Sequence, residues 1–359
     1  MEHPPAPCPE GAPSLPEGGG VPIENVNVQE DWTARLHQSV RHMVDGVRDF
    51  RWFNVGDSIA TGEWGIASTT EHFAAVGARS LGERLGVSTE RRVHTAGSDF
   101  SGGAVELSGA FAAASGDFFG SAGWFLRPGA RLRYRPDAGA SRYLVSASGD
   151  VQFSVDDGVT WTEAEGAISR LERPAGSEGL LIGAGTGGAR VHRLEYASPA
   201  TAMTWYTSGI GGSRIADLHG ALSAEGGRGY AAYGASEPDL LSIHIGVNDT
   251  IHADEVALEQ SVSGLRGVLQ SFLDAGVRTI LLVGANPVRS DFQPGPWGQG
   301  DAVSKLYGPV AEEFGVPLVD VARRWVDYPA AHAKGFLVDQ VHPTARGHED
   351  IAALVVDLF

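Results

Sequence analysis

An α/β fold interrupted by an all-β segment is predicted by three observations. Apolar runs at 53–55, 240–245, 279–283 and 316–319 alternate with amphipathic helical patterns, the texture of a mostly parallel sheet covered on both faces. Between about 98 and 200 the apolar residues fall instead in short alternating runs broken by Gly, Ser and Asp, as in a β-sandwich of jelly-roll-like type. The length, 359 residues, suits two cores, because single cores stop growing at about 250–300 residues. The expected division is a tail over 1–22, an α/β domain over 23–97 and 201–359, and a β-sandwich inserted over 98–200.

Residues 1–22 are rich in Pro and Gly and hold too few large apolar side chains to offset their ordering entropy, so a flexible tail is expected. The first residues, Met1 to Pro5, carry neither a basic nor an apolar stretch. No secretory signal is therefore expected in this stretch, and the address stays open: cytoplasmic by that absence, secreted or virion-associated if a leader has been removed or the protein is phage-derived. No run approaches the roughly 20 apolar residues of a membrane span. Asp31 suits the N-cap of a helix over 32–47, with Trp32, Leu36, Val40 and Val44 at i, i+4 spacing, packed outside the main core. Residues 53–59 read as a buried strand that stops abruptly on Gly56-Asp57-Ser58, which places a hydroxyl at a strand tip. Ser68-Thr69-Thr70-Glu71 has capping-box spacing and opens a helix carrying Phe73, Val76, Leu81 and Leu85.

Candidate strands of the β segment are 124–126, 130–134, 143–145, 151–155, 180–182 and 191–194. Asp157-Gly158 signals a hairpin, since a tight turn requires positive φ. The surrounding Ser154-x-Asp156-x-Gly158-x-Thr160-Trp161 resembles an Asp-box, a structural staple of β-hairpins. Residues 183–188 match the glycine pattern of dinucleotide-binding loops, but that motif needs a helix after it, and 190–194 reads as a strand. A hairpin loop is expected there.

From 201 the helix–strand alternation resumes. A strand at 203–206 leads through a glycine-rich loop to a helix beginning near Arg214. Helices are expected over 253–275 and 301–314, with a last one after His348.

The balance of 27 basic against 44 acidic side chains gives a formal charge of −17, which repels phosphate backbones and argues against nucleic-acid partners. Cys8 is the one cysteine, so no intrachain disulfide forms. The twelve histidines include no His-Glu-x-x-His pattern and no Cys/His cluster, and neither a metal nor another cofactor is expected.

Reactive groups of open α/β sheets collect beyond the carboxyl ends of strands, where Ser58, Asn248 and the loop after Tyr206 all fall. A serine needs a base, and His342 suits the task because Asp339, three residues earlier, would fix its tautomer and stabilise the imidazolium. Asn248 suits an oxyanion donor, as do the Ser58 N–H and an N–H of the turn Ser208-Gly209-Ile210-Gly211-Gly212. Trp64 and the loop 287–300, with Phe292 and Trp297, are candidates for the wall and lid of such a site.

These four blocks in this order, Gly-Asp-Ser, the glycine turn, Gly246-Val247-Asn248-Asp249 and Asp339-Gln340-Val341-His342, resemble the SGNH (GDSL) hydrolase superfamily. The resemblance covers about 50–97 and 203–359. It implies a flavodoxin-like sheet, Ser58 as nucleophile, Asp339 and His342 as its relay, and Ser58, Gly212 and Asn248 as oxyanion hole, with Gly209 and Gly211 as alternatives to Gly212. The implied activity is a serine esterase for short-chain or acetyl esters, possibly on carbohydrates, with an O-acyltransferase or a glycan-binding phage-tail or cell-surface module as rivals. One departure stands out: the β segment separates the first block from the second.

Overall fold

In chain order the protein runs through β1 (Asn25–Val26), α1 (Glu30–Val44), β2 (Phe50–Gly56), α2 (Ser58–Thr61), α3 (Phe73–Leu85) and β3 (Thr89–Glu90). Nine strands follow: β4 (Val93–His94), β5 (Val105–Ser108), β6 (Phe111–Phe118), β7 (Ser121–Leu126), β8 (Arg131–Tyr134), β9 (Arg142–Ser154), β10 (Thr162–Glu163), β11 (Ile168–Glu172) and β12 (Leu180–Ala197). The remainder comprises β13 (Met203–Gly209), α4 (Ile215–Leu222), α5 (Tyr230–Ser236), β14 (Leu240–His244), α6 (Val247–Ile251), α7 (Leu258–Asp274), β15 (Ile280–Val283), α8 (Gly308–Phe314), β16 (Leu318–Val319), α9 (Val321–Trp325), α10 (Tyr328–Ala333) and α11 (Ala345–Val356). The computed structural model describes residues 25–26, 28–62, 65–90, 92–94, 105–109, 111–118, 121–136, 140–166, 168–223, 229–253, 255–292 and 301–359.

The central sheet has the order β1-β16-β15-β14-β2-β13-β3, with every pairing parallel except β1 to β16. Counting its five main strands along the chain, the order β13-β2-β14-β15-β16 is 2-1-3-4-5, the flavodoxin-like winding. The direction in which successive strands are added reverses between β2 and β14, and the crevice at such a switch point is where ligands of this architecture bind.

Period-2 alternation sends Phe53, Val55, Tyr206, Leu241 and Ile243 to one face, against α4, α5 and α7, and Phe50, Trp52, Met203 and Trp205 to the other, against α1, α3 and α11. Helix α1 is part of that second core, contrary to the expectation that it packs outside. Trp32 and Leu36 are fully buried, and Trp32 Nε1 donates to Ile280 O at 2.8 Å. Its buried stripe continues through Ser39 and Met43 while Val44 is half exposed, because a 3.6-residue period drifts off a strict i, i+4 series. Its N-cap is Gln29 rather than Asp31. The Ser68 signal serves a short 3₁₀ turn, Thr69–Glu71, with Glu71 reaching Ala67 N, and α3 is capped by His72. The last helix begins before His348, at Ala345.

Strands β4–β12 form one antiparallel sheet with a single core around Trp124, Leu132, Tyr143, Phe153, Ile182 and Val191. The runs expected as separate strands at 143–145 and 151–155 are one strand, β9, and those at 180–182 and 191–194 are both in β12. The glycine stretch between the latter is a bulge and not a hairpin loop. Four residues, 185–188, face the single Asp150 of β9 between the pairs Ala184↔Val151 and Ala189↔Gly149. Asp150 fills the space that a side chain at Gly185 would occupy and accepts from Gly187 N at 3.2 Å. The hairpin after β9 forms as expected, with Asp157 and Gly158 both at positive φ. Asp156 staples it through Ser154 Oγ (2.7 Å), Thr160 N (2.9 Å) and Thr160 Oγ1 (2.6 Å).

Buried ion pairs join the two sheets. Arg92 holds Asp49 at 2.6 Å and stacks on Tyr196. Arg193 of β12 donates to Ala232 O at 2.8 Å and to the Ser236 hydroxyl, and its guanidinium lies 5.9 Å from the Phe53 ring. Glu195 pairs with Arg51 at 3.0 Å and accepts from Ser236 Oγ at 3.1 Å. Arg51 and Phe53 belong to β2, so this part of the antiparallel sheet is anchored on the strand that ends at Ser58.

Candidate active site

Strand β2 ends on Gly56 because nothing larger fits there: a β carbon would lie 1.7 Å from His244 O of the neighbouring β14. Asp57 then caps α2, its carboxylate accepting from Ile59 N at 3.0 Å, and Ser58 is the first helical residue. Its N–H is among the donors that a helix start leaves without an intrahelical partner. Gly62 closes the turn at φ +76°. Ser58 is buried to 5% exposure, and its Oγ is 3.1 Å from His342 Nε2.

His342 is supplied by the loop between α10 and α11. Asp339 organises that loop, because its Oδ1 accepts from Val341 N (2.8 Å) and His342 N (2.7 Å) while Oδ2 is 2.8 Å from His342 Nδ1. A carboxylate at Nδ1 assigns the ring proton to that nitrogen, leaving Nε2 as acceptor for the Ser58 hydroxyl. Burial pushes the Asp339 carboxyl up, but the two N–H groups and the ring outweigh it and hold it below the usual carboxylate range. Two contacts brace the loop: Asn286, fully buried beyond β15, donates to Val341 O at 2.8 Å, and Arg289 N donates to Gln340 O at 3.1 Å. On the other side, Gly65 packs so closely on Pro343 that a β carbon would stand 1.7 Å from its carbonyl.

The two strands beside β2 bring the remaining groups. Gly209, opposite Gly56, approaches the Gly56 and Asp57 carbonyls more closely than any β carbon allows, and Ile210 N donates to Gly56 O at 3.1 Å. The chain turns at Gly212, which is at φ +72°, exposed and open on its β-carbon side. Asn248 follows β14, and its Nδ2 donates to Ser213 O at 3.0 Å, which ties it to the residue after Gly212. An amide nitrogen has two hydrogens, so one donor remains for another acceptor. Asp249 turns away to hold Ile215 N (3.0 Å) and Ser261 Oγ (2.7 Å), fixing α4 and α7 to this loop. The structure thus brings Ser58, Asp339 and His342 into one hydrogen-bonded chain, with Asn248, in the first turn of α6, and the Gly212 turn following the two strands beside β2. Trp64 and residues 293–300 lie outside the described residues. Phe292 is exposed, 5.6 Å from the Arg289 guanidinium.

The family profile of the GDSL-like lipase/acylhydrolases matches residues 176–349. That stretch, just under half of the 359 residues, is similar to the family. The matched stretch holds Gly212, Asn248, Asp339 and His342, while Ser58 lies upstream of it, before the antiparallel sheet. No curated protein matches in sequence. Among solved structures, a peptidoglycan O-acetylesterase overlays with a TM-score of 0.66 at 17% identity, over 93% of this chain and 96% of its own. A two-domain esterase active on acetylated mannans overlays at a TM-score of 0.45 with 13% identity, over 90% of this chain and 52% of its own. A lipase/acylhydrolase from Enterococcus faecalis reaches 0.35 at 19% identity, over 44% of this chain and 74% of its own. The fold, a parallel sheet flanked by helices, is shared with that peptidoglycan O-acetylesterase.

Two features of the protein escape motif reading. Beneath α2, Asn54 donates to Thr207 Oγ1 (3.1 Å) and accepts from Ser242 Oγ (2.8 Å), which in turn accepts from Trp52 Nε1 (3.0 Å). Thr207 also bonds the Ala60 carbonyl, so this buried network across β2, β13 and β14 grips the helix that carries Ser58. A polar residue at the same depth in each of three apolar strands was its signal. Close by, His72, His244 and His348 are buried together around Phe73. Nothing in their spacing announced it.

Proposed function

We propose that the protein is a serine esterase that removes acetyl or other short acyl groups from a carbohydrate, through an acyl-serine intermediate. The observation that carries this reading is the unbroken chain from Ser58 Oγ to His342 Nε2 (3.1 Å) and from His342 Nδ1 to Asp339 Oδ2 (2.8 Å). His342 Nε2 takes the Ser58 proton as Oγ attacks the ester carbonyl carbon. The carbonyl oxygen becomes an oxyanion, held by the Ser58 and Gly212 N–H groups and Asn248 Nδ2; a donor of this kind contributes roughly 10²–10³-fold. Collapse of the tetrahedral centre breaks the bond to the alcohol oxygen, which leaves with the proton from His342. Water, deprotonated by the same nitrogen, attacks acyl-Ser58, and the acid departs with Ser58 reprotonated. Asp339 stays ionised throughout and holds the imidazolium in place.

The substrate class is supported by the overlay of nearly the whole chain on a peptidoglycan O-acetylesterase, with the antiparallel sheet joined to β2 by the Arg51–Glu195 ion pair. O-acetylated peptidoglycan is the substrate to try first. Release of acetate from it, abolished by Ser58→Ala along with turnover of p-nitrophenyl acetate, is the expected result. Undiminished hydrolysis of the small ester by Ser58→Ala would refute the mechanism, and acetate release from xylan or mannan in preference to peptidoglycan would redirect the substrate.

A further inference from the structure

Tyr307 ends a six-residue π-helical stretch, Ala302–Tyr307. Such turns are rare and recur at functional sites. Its ring is 1% exposed beneath the Asn248 loop, and its hydroxyl donates to Ile245 O at 2.7 Å. The next residue, Gly246, is at φ +110°, and a β carbon there would stand 2.3 Å from that hydroxyl. Phenol and glycine turn are therefore fitted to each other: the oxygen occupies the space that any other residue at 246 would need. Burial, then the nearby carboxylates of Asp249 and Asp57, keep the phenol protonated and so a donor. Those two aspartates adjoin Asn248 and Ser58 in sequence, so the hydroxyl lies where the nucleophile turn and the Asn248 loop meet.

We propose that Tyr307 is a positioning residue for the oxyanion hole: by pinning the Ile245–Gly246 peptide it sets where Asn248 Nδ2 points as the tetrahedral intermediate forms. The proposal rests on the reading of Ser58 and Asn248 given above. Without the hydroxyl the peptide plane is free to tilt, and displacement at Asn248 weakens a donor whose value depends on being aimed in advance.

The test is a kinetic cycle on p-nitrophenyl acetate with Tyr307→Phe, Asn248→Ala and the double variant. Tyr307→Phe is expected to lower kcat about 10-fold with KM nearly unchanged, a fraction of the roughly 10²–10³-fold expected for Asn248→Ala. In the Asn248→Ala background the same change is expected to cost nothing further, because the group it aims is gone. A wild-type kcat for Tyr307→Phe, or a full additional 10-fold loss in the double variant, overturns the positioning role while leaving the site reading intact. An undiminished rate for Asn248→Ala takes down both. The kinetics of Tyr307→Phe are read below its unfolding transition, located by circular dichroism, and an unaltered kcat in the folded variant overturns the proposal.

Discussion

Replacing His244 by leucine should make the fold less sensitive to acid, by an amount that the structure sets. His244 closes β14 at 1% exposure, and neither of its ring nitrogens has a hydrogen-bond partner among the described residues. His72 Nδ1 accepts from Ala74 N (3.1 Å) and His348 Nδ1 from Phe73 N (3.3 Å), both at the start of α3, where the helix dipole disfavours a cation. Burial depresses all three imidazoles, His244 and His348 to about 3 and His72 well below its ordinary value. In the unfolded chain each takes up a proton near pH 6.5, whereas the folded protein resists until far lower pH. Stability present above pH 6.5 is therefore lost as pH falls through the window from 6.5 toward 3, at up to about 1.4 kcal/mol per pH unit for each group. Between pH 7 and 5 this is about 2 kcal/mol each, about 4 kcal/mol for His244 and His348 together, with His72 adding in the same sense. The carboxyls of Asp49, Asp249 and Asp320, raised by burial, act the opposite way, but equally in both proteins. Urea unfolding followed by tryptophan fluorescence at pH 7, 6 and 5 measures the difference. His244→Leu should lose about 2 kcal/mol less than the wild type between pH 7 and 5. Equal losses in the two proteins would refute the argument.

Other consequences are simpler to read. Asn248→Ala should lower kcat by roughly 10²–10³-fold with little change in KM, as measured on p-nitrophenyl acetate. Asp339→Asn should cut kcat/KM by up to about 10⁴-fold while the protein stays folded by circular dichroism, because an amide no longer selects the Nδ1-protonated tautomer. Glu195→Gln should destabilise the protein by about 3–5 kcal/mol in urea unfolding, since Arg193, at 1% exposure, and Arg51 lose their shared carboxylate.

The parallel sheet was legible because both its faces are buried. Runs such as 240–245 then have no polar side, and helices at regular intervals leave one architecture. The four blocks were legible for a related reason, since tight geometry restricts residue choice: Gly56 against His244 O and Gly246 against Tyr307 admit glycine alone. What escaped reading depended on contacts between distant segments. Helix α1 reads as a peripheral amphipathic helix until Trp32 is seen bonded to Ile280 O. The separate strands expected at 180–182 and 191–194 are one, because a bulge beside Asp150 absorbs four residues that local sequence marks as a loop. Tyr307 and Asn286 carry no motif, as each acts by bonding a main-chain carbonyl far along the chain.

The central claim, that Ser58 is the nucleophile of a relay through His342 and Asp339, is tested most directly by reacting the protein with a p-nitrophenyl phosphonate ester and locating the adduct by peptide mass spectrometry. One phosphonyl group on Ser58, formed in step with complete loss of esterase activity and absent from Ser58→Ala and greatly slowed in His342→Ala, is the expected result. An adduct on another residue that accounts for the lost activity, or inactivation with Ser58 unmodified, would contradict it.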